Sequence, residues 1–186
     1  MTNIVPSGDL IPQGAMLRDD NDNPVLGTGL TLSNSKTLTG NNTTVAVPIF
    51  HVTGTVQVLA LWGNVTTTLG ANNTAAYWRL NDQTAQVSIT LSTGTTLSAA
   101  VAGGTIVKKG LAAAALVFID AAAGRVSEPT TLETLYFSPF VATQKTGGIT
   151  TDIEFVYTTT DTPTSGVINF YVQYIPIGQG SKITTA

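Results

Sequence analysis

The chain has no cysteine and a single histidine, His51, among its 186 residues. The lack of cysteine excludes a disulfide framework and thiolate metal sites, and one imidazole by itself serves zinc poorly. Any mechanism that uses a histidine base has this one candidate. Because His51 lies in an apolar, strand-like run with no serine or carboxylate beside it, we interpret it as an ordinary strand residue. Catalytic partners for it would have to come from elsewhere in the fold.

Charge is scarce as well. Asp, Glu, Lys and Arg make up 10% of the chain, against about 25% in an average soluble protein. The net charge is −3, and the eight basic residues are scattered apart from Lys108 and Lys109. The sequence therefore shows no basic patch for nucleic acid, and we expect no nucleic-acid partner.

Long apolar segments are also missing. The longest apolar run covers residues 111–119, which is far short of the roughly 18 residues that a membrane-spanning helix needs. No basic segment followed by an apolar one stands at the start of the chain. We expect synthesis in a cytoplasm and no membrane partner.

Threonine is the residue that the chain has in abundance, with 33 of the 186 positions. Thr is β-branched and a weak helix former, but it fits a pleated, half-buried surface, and its hydroxyl still faces water. Hydroxyls and amides thus take the place of charges on the surface. This composition predicts an all-β protein.

The segment 1–42 has no sustained hydrophobic period and is crowded with Pro, Gly and an Asp/Asn cluster at 19–23, which predicts an extended N-terminal arm. The cluster resembles part of a calcium loop but lacks the glycine and glutamate of an EF-hand, so we interpret it as a solvated turn. Apolar residues punctuate the arm, and we expect them to lie on a surface that can belong to a neighbouring subunit. These expected interface residues are Ile4, Leu10, Ile11, Met16, Leu17, Val25 and Leu26.

Short β-rich runs separated by Gly, Asn, Asp and Pro fill residues 43–178, and residues 179–186 are expected to form a C-terminal tail. Eight such strands without long helices predict a two-sheet antiparallel sandwich, jelly-roll-like, with an immunoglobulin-like sandwich as the competitor. The last two strands are joined by a Pro- and Gly-containing turn and are predicted to pair as a hairpin. An alanine-rich stretch leaves a one-turn helix open at the start of the fifth strand. The predicted strands lie near 44–53, 55–68, 74–80, 85–92, 112–120, 134–143, 149–159 and 166–176.

The predicted strand 55–68 is apolar on both faces. Simple alternation places on one face Val56, Val58, Ala60 and Trp62. Leu59 and Leu61 then lie on the other face. Either the strand is central and covered on both sides, or its outer face meets a neighbouring subunit. We therefore add Leu59 and Leu61 to the expected interface residues.

Two further groups of residues have a functional and a structural interpretation. Asp152 and Glu154 share one face of a strand, as paired glycosidase acids do, but alternation places such residues on any solvated strand face. Tyr77 and Trp78, beside Arg79, could form a stacking platform for a sugar or a base. In a strand the two rings point to opposite faces, which favours core packing for one of them. We identify no catalytic, cofactor-binding or metal-ligating residue.

The runs VTGTVQVLALWG (52–63) and GVINFYVQYIPI (166–177), with Thr-, Asn- and Gly-rich turns between them, resemble small virion structural proteins of tailed bacteriophages. Capsid decoration (cement) proteins are the closest type. The resemblance covers residues 43–178 and is one of composition and strand pattern. It implies a β-sandwich or jelly-roll body, often a trimer, that sits on the capsid surface and binds neighbouring major capsid proteins. It brings no catalytic residue and no cofactor.

The expected function is therefore that of a non-enzymatic virion protein, made in the host cytoplasm and bound to the capsid surface as a homo-oligomer, for which a trimer is favoured. The alternative is a carbohydrate- or receptor-binding β-sandwich of a phage tail fibre or head fibre. That alternative would use Tyr77 and Trp78. An enzyme would need a carboxylate pair in a concave site around Asp152 or Glu154.

Overall fold

The computed structural model describes residues 17–18, 24–26, 29–40, 42–70, 73–82, 88–92, 94–97, 102–107, 117–119, 139–144, 151–159 and 166–186. Over these residues the protein is all-β, with thirteen strands and no helix. The strands are β1 (Leu17–Arg18), β2 (Pro24–Leu26), β3 (Leu30–Thr37), β4 (Thr44–Thr53), β5 (Thr55–Thr67), β6 (Asn73–Asp82), β7 (Ser88–Thr90), β8 (Thr105–Val107), β9 (Val117–Ile119), β10 (Phe140–Thr143), β11 (Thr151–Thr159), β12 (Val167–Pro176) and β13 (Lys182–Thr185).

Two antiparallel sheets pack face to face, and β1 and β2 form a separate short pair. The six-stranded sheet has the order β3-β12-β5-β8-β9, with β10 also pairing with β5, and the five-stranded sheet has the order β13-β4-β11-β6-β7. Within them, β3-β12-β5-β8 and β4-β11-β6-β7 form the two four-stranded sheets of a jelly roll. The predicted antiparallel sandwich is confirmed.

The prediction that the last two long strands pair as a hairpin was wrong. β11 pairs with β4 and β6, whereas β12 pairs with β3 and β5 in the opposite sheet. The apolar faces of the two strands therefore meet across the interior, where the ring centroids of Phe155 and Phe170 are 5.1 Å apart. Each strand buries its alternating apolar residues by facing the other strand, and this arrangement satisfies the same sequence pattern that a hairpin would.

β5 is a central strand, as one of the two interpretations predicted, because β12 lies on one edge and β10 and β8 lie on the other. Its predicted faces were wrong beyond residue 58. Leu59 is an extra residue in the ladder, since Tyr174 opposes Val58 and Gln173 opposes Ala60. This β-bulge reverses the alternation. Val58 and Leu61 both face the core, each 1% exposed, and Trp62 turns outward.

Five strands lie where the sequence predicted none, and β1 and β2 in the predicted arm are two of them. β3 falls in the predicted arm and pairs with β12 along its whole length, so residues 30–37 belong to the sandwich. β8 lies in the long predicted loop 93–111, and β13 lies in the predicted tail and pairs with β4. These strands are short or polar, and β3 and β13 are edge strands. Edge strands bury only part of one face, which leaves a weak hydrophobic period in the sequence.

Aromatic rings fill the space between the sheets. The ring of Trp78 in β6 meets Phe155 edge-on, with centroids 5.0 Å apart, and meets Phe170 of the opposite sheet at 5.2 Å. Tyr157 in β11 donates its hydroxyl to the carbonyl of Thr39 at 2.6 Å and accepts the amide N–H of Thr39 at 2.9 Å. These two hydrogen bonds attach the connection between β3 and β4 to β11 of the five-stranded sheet.

Candidate functional site

One outer surface of the sandwich has no charged side chain among its described residues. It is the outward face of the six-stranded sheet, here called the uncharged face. Because core residues alternate with outward ones along each strand, the ladder pairing defines the members of this face. They are Thr31, Ser33, Ser35, Thr37, Gln57, Ala60, Trp62, Asn64, Thr105, Val141, Thr143, Asn169, Tyr171, Gln173 and Ile175.

Two aromatic rings stack at the centre of the uncharged face. Trp62 and Tyr171 oppose each other on β5 and β12, and their ring centroids are 5.2 Å apart with 9° between the planes. Both side chains are half-buried. Tyr171 is also opposite Ser33 of β3, which is exposed and small. The face of the Tyr171 ring that points away from Trp62 is therefore directed over a strand that carries only short side chains beside it.

A row of amides lies next to the aromatic row, which Trp62, Tyr171 and Ser33 form across three neighbouring strands. Asn169 opposes Asn64 on one side and Ser35 on the other, one alternation step from Tyr171. The Thr105 hydroxyl donates to Asn64 Oδ1 at 3.1 Å and holds that amide in place. The centre of the uncharged face thus combines an aromatic stack with uncharged hydrogen-bonding groups.

One end of the uncharged face carries three apolar side chains, with Gln57 between two of them. Val141 of β10 opposes Gln57, and Gln57 opposes Ile175 of β12. The ladder continues past β12, since the N–H of Ile177 donates to the carbonyl of Thr55 at 2.9 Å. Val141 and Ile177 are 57% and 56% exposed, which makes them two of the most exposed large hydrophobic residues in the described part of the chain. Together with Ile175 they form what we call the apolar end.

The outer face of the five-stranded sheet carries buried ion pairs instead. On β11, Asp152 and Glu154 are only 2% and 3% exposed, so the interpretation of both as solvated strand residues was wrong. His51 Nδ1 of β4 lies 2.6 Å from Asp152 Oδ1. Arg79 of β6 donates from Nε to Glu154 Oε2 at 2.5 Å. The flanking strands β4 and β6 thus supply a polar partner for each carboxyl group of the central strand β11.

The second oxygen of Glu154 is also engaged, because Asn81 donates from Nδ2 to Glu154 Oε1 at 2.9 Å. Glu154 thus has a hydrogen-bond partner at each of its carboxyl oxygens. The partners come from β4 and β6 on either side of β11, so the pairs tie three strands together across the sheet. A His–Asp pair can also orient an imidazole.

The residues predicted from the sequence fall into three groups. Ile4, Leu10, Ile11 and Met16 lie outside the described residues, as do the Asp cluster at 19–23 and Lys108 with Lys109. Leu17, Val25 and Leu26 lie in β1 and β2, where Leu17 opposes Leu26. Leu59 is half-buried at the bulge, and Leu61 packs in the core rather than on an outer surface.

The predicted aromatic platform is absent at Tyr77 and Trp78. Trp78 is 0% exposed in the core, whereas Tyr77 is half-buried on the outer face of the five-stranded sheet, so the two rings point to opposite faces as predicted. The stack of Trp62 on Tyr171 was not predicted. These residues are 109 positions apart in the chain, and only the register of β5 on β12 brings them together.

Within the described ranges, no three or more His, Cys, Asp or Glu side chains are grouped so that they could hold a metal ion. In the same ranges, no helix combines the length and the apolar character needed to cross a membrane. Comparison with protein-family models, with curated proteins and with solved structures finds no match.

Proposed function

We propose that this chain is a non-enzymatic structural protein of a bacteriophage virion, which decorates the capsid surface and stabilises it by binding neighbouring major capsid proteins. The observation that carries the proposal is the apolar end, where Val141 and Ile177 are more than half exposed on a face without charge. Exposed apolar patches mark contact sites, and the cores of protein interfaces are depleted in charged residues. This surface is suited to being covered by another subunit.

The fold supports the same proposal by analogy. Jelly rolls include viral capsid domains, although the fold alone does not determine function. The composition agrees, because a surface of threonine, serine and amides can be buried at low desolvation cost compared with charges.

In the proposed mechanism, copies of the chain associate through the apolar end, with a trimer as the favoured oligomer. The N-terminal arm, with the apolar residues predicted there, lies over an adjacent subunit. A specific interface buries roughly 1,200–2,000 Å² in total, which an apolar sheet end and an arm can supply together. A closed oligomer then contacts several capsid proteins at once and gains avidity.

The test uses a charged double variant, Val141→Asp with Ile177→Asp, and a matched control, Ile89→Asp. Ile89 is 57% exposed but belongs to β7 of the other sheet. It is therefore as exposed as Val141 and Ile177 and lies outside the apolar end. Native mass spectrometry measures the oligomer, and cosedimentation with capsids built from the major capsid protein measures binding. We expect the wild type and the control to oligomerise and cosediment, and the double variant to bind at least tenfold more weakly.

Two results would overturn the proposal. One is a wild-type chain that stays monomeric and never cosediments with capsids. The other is a double variant that assembles and binds as well as the wild type. Circular dichroism of each variant confirms beforehand that the sandwich is folded.

The alternative function, a carbohydrate- or receptor-binding sandwich of a tail fibre or head fibre, lacks the platform from which it was predicted. Trp78 is enclosed between Phe155 and Phe170 and offers no surface to a sugar. An aromatic surface for such a ligand has to lie elsewhere on the molecule.

A further inference from the structure

The stack of Trp62 on Tyr171 is the described aromatic surface that combines partial exposure with ring faces held parallel. In a parallel pair each ring covers one face of the other, and the second face of each ring points away from the pair. For Tyr171 that second face is directed over Ser33 of β3. Because Trp62 supports the ring from behind, Tyr171 presents this face at little cost in side-chain entropy.

The two neighbouring rows on this face match the two sides of a sugar ring. Alternate residues along a strand are about 7 Å apart on the same face, so the amide row of Asn64, Asn169 and Ser35 runs beside the aromatic row of Trp62, Tyr171 and Ser33. An aromatic face accepts the apolar C–H side of a pyranose, and a few placed polar groups fix its orientation. Side-chain amides both donate and accept, as sugar hydroxyls do.

The absence of charge selects the class of ligand. None of the described side chains on the uncharged face is basic, so a phosphate backbone would find no counter-charge there, although a nucleobase could stack on the same rings. The same argument disfavours sulfated and sialylated sugars. A neutral saccharide needs no charged partner, so the lack of charge on this face does not weaken its binding.

We propose that the aromatic row and the amide row bind a neutral saccharide, with a pyranose ring on the free face of Tyr171 and its hydroxyls hydrogen-bonded to Asn169 and Ser35. The inference goes beyond the virion proposal and does not rest on it. Tyr171 is four residues before Ile175 in β12, about 14 Å along the strand, so the saccharide site and the apolar end can be changed separately. A decorated particle with such a site would carry many copies and bind glycans with avidity.

The experiment is a glycan array probed with the purified full chain, followed by a titration of the strongest neutral glycan. Isothermal titration calorimetry gives the affinity. Acrylamide quenching of the free protein shows whether Trp62 is open to solvent, because the chain has two tryptophans and Trp78 is 0% exposed. We expect Tyr171→Ala and the milder Asn169→Ala each to weaken binding at least tenfold.

Two control variants separate this proposal from the others. Tyr77→Ala removes a half-buried ring from the opposite outer face and should leave glycan affinity within twofold. Val141→Asp with Ile177→Asp should lose assembly and keep glycan affinity, so either proposal can fail while the other holds. Should Tyr171→Ala misfold, Asn169→Ala and the calorimetric titration of the wild type still decide the question.

Three results would overturn the inference. The first is an array on which no neutral glycan binds, and the second is binding confined to anionic glycans. The third is an oligomer in which Trp62 is already shielded from acrylamide without any glycan, which would assign the stack to a contact between copies of the chain.

Discussion

Arg79 of β6 donates from Nε to Glu154 of β11, and the Glu154 side chain has almost no contact with solvent. Breaking a buried ion pair leaves one charge without its partner, at a cost of about 3–5 kcal/mol. Replacing both partners is much less costly, because no uncompensated charge remains. This difference makes the pair testable as a unit.

We expect Arg79→Met to lower the free energy of unfolding by about 3 kcal/mol, the lower end of that range because Arg79 is partly exposed. The double variant Arg79→Met with Glu154→Gln should recover part of that loss. Urea unfolding of the single and double variants gives the coupling energy. Lys182→Met, at an exposed position of β13, is the control and should change stability by less than about 0.5 kcal/mol. Strictly additive effects would show that the pair is not coupled.

Because of the buried phenol of Tyr157, we predict that the free energy of unfolding falls at alkaline pH. Burial raises the pKa of its phenol above the usual value, although the hydrogen bonds with Thr39 act in the opposite direction. The folded state then holds the phenol proton more tightly than the unfolded state. The stabilisation is complete below the unfolded pKa of about 10 and is lost as the pH rises through the higher folded pKa.

The measurement is the free energy of unfolding as a function of pH, for the wild type and for Tyr157→Phe. We expect the variant to be less stable at neutral pH by about 1–3 kcal/mol, because Thr39 loses its partner, and to decline less steeply above pH of about 10. Equal alkaline slopes for the wild type and Tyr157→Phe would contradict the prediction.

Gly63 is predicted to be intolerant of a side chain. It faces the core from β5, and a Cβ there would lie 2.8 Å from Ile168 Cγ2 and 3.1 Å from Phe170 Cδ1. Both neighbours are fully buried, so neither can move away freely. Gly63→Ala should cost about 1–3 kcal/mol by overpacking. Ala46→Val, at an exposed position of β4, adds more carbon and should cost less than about 0.5 kcal/mol. Thermal unfolding of both variants measures the difference.

Trp78 gives a prediction about the core. Trp78→Ala should lower the free energy of unfolding by about 3–5 kcal/mol, because it opens a cavity between Phe155 and Phe170. Trp78→Phe should cost clearly less. It keeps an aromatic ring and removes the buried Nε1, which has no hydrogen-bond partner among the described residues. Chemical denaturation of both variants ranks them, and a Trp78→Phe variant as unstable as Trp78→Ala would show that this N–H has a partner.

Local pattern was enough to predict the five longest strands and the class of fold. The predicted strand 44–53 coincides with β4, and the alternation of Ile153, Phe155 and Tyr157 correctly identifies the face of β11 that packs in the core. The two-residue alternation of a strand can be recognised within a few consecutive residues, and each residue type has its own preference for a pleated surface. The same reasoning predicted that only one of Tyr77 and Trp78 would be buried.

Pairing between distant strands was decided only by the tertiary structure. A hairpin and a crossing between sheets bury the apolar face of β12 equally well, so the sequence pattern does not distinguish them. The bulge at Leu59 moves Trp62 to the opposite face, and a single inserted residue leaves no trace in the composition. His51 meets Asp152 across 101 positions. Alternation and propensity are properties of neighbours in the chain, whereas register and sheet order depend on which interior packing has the lowest free energy.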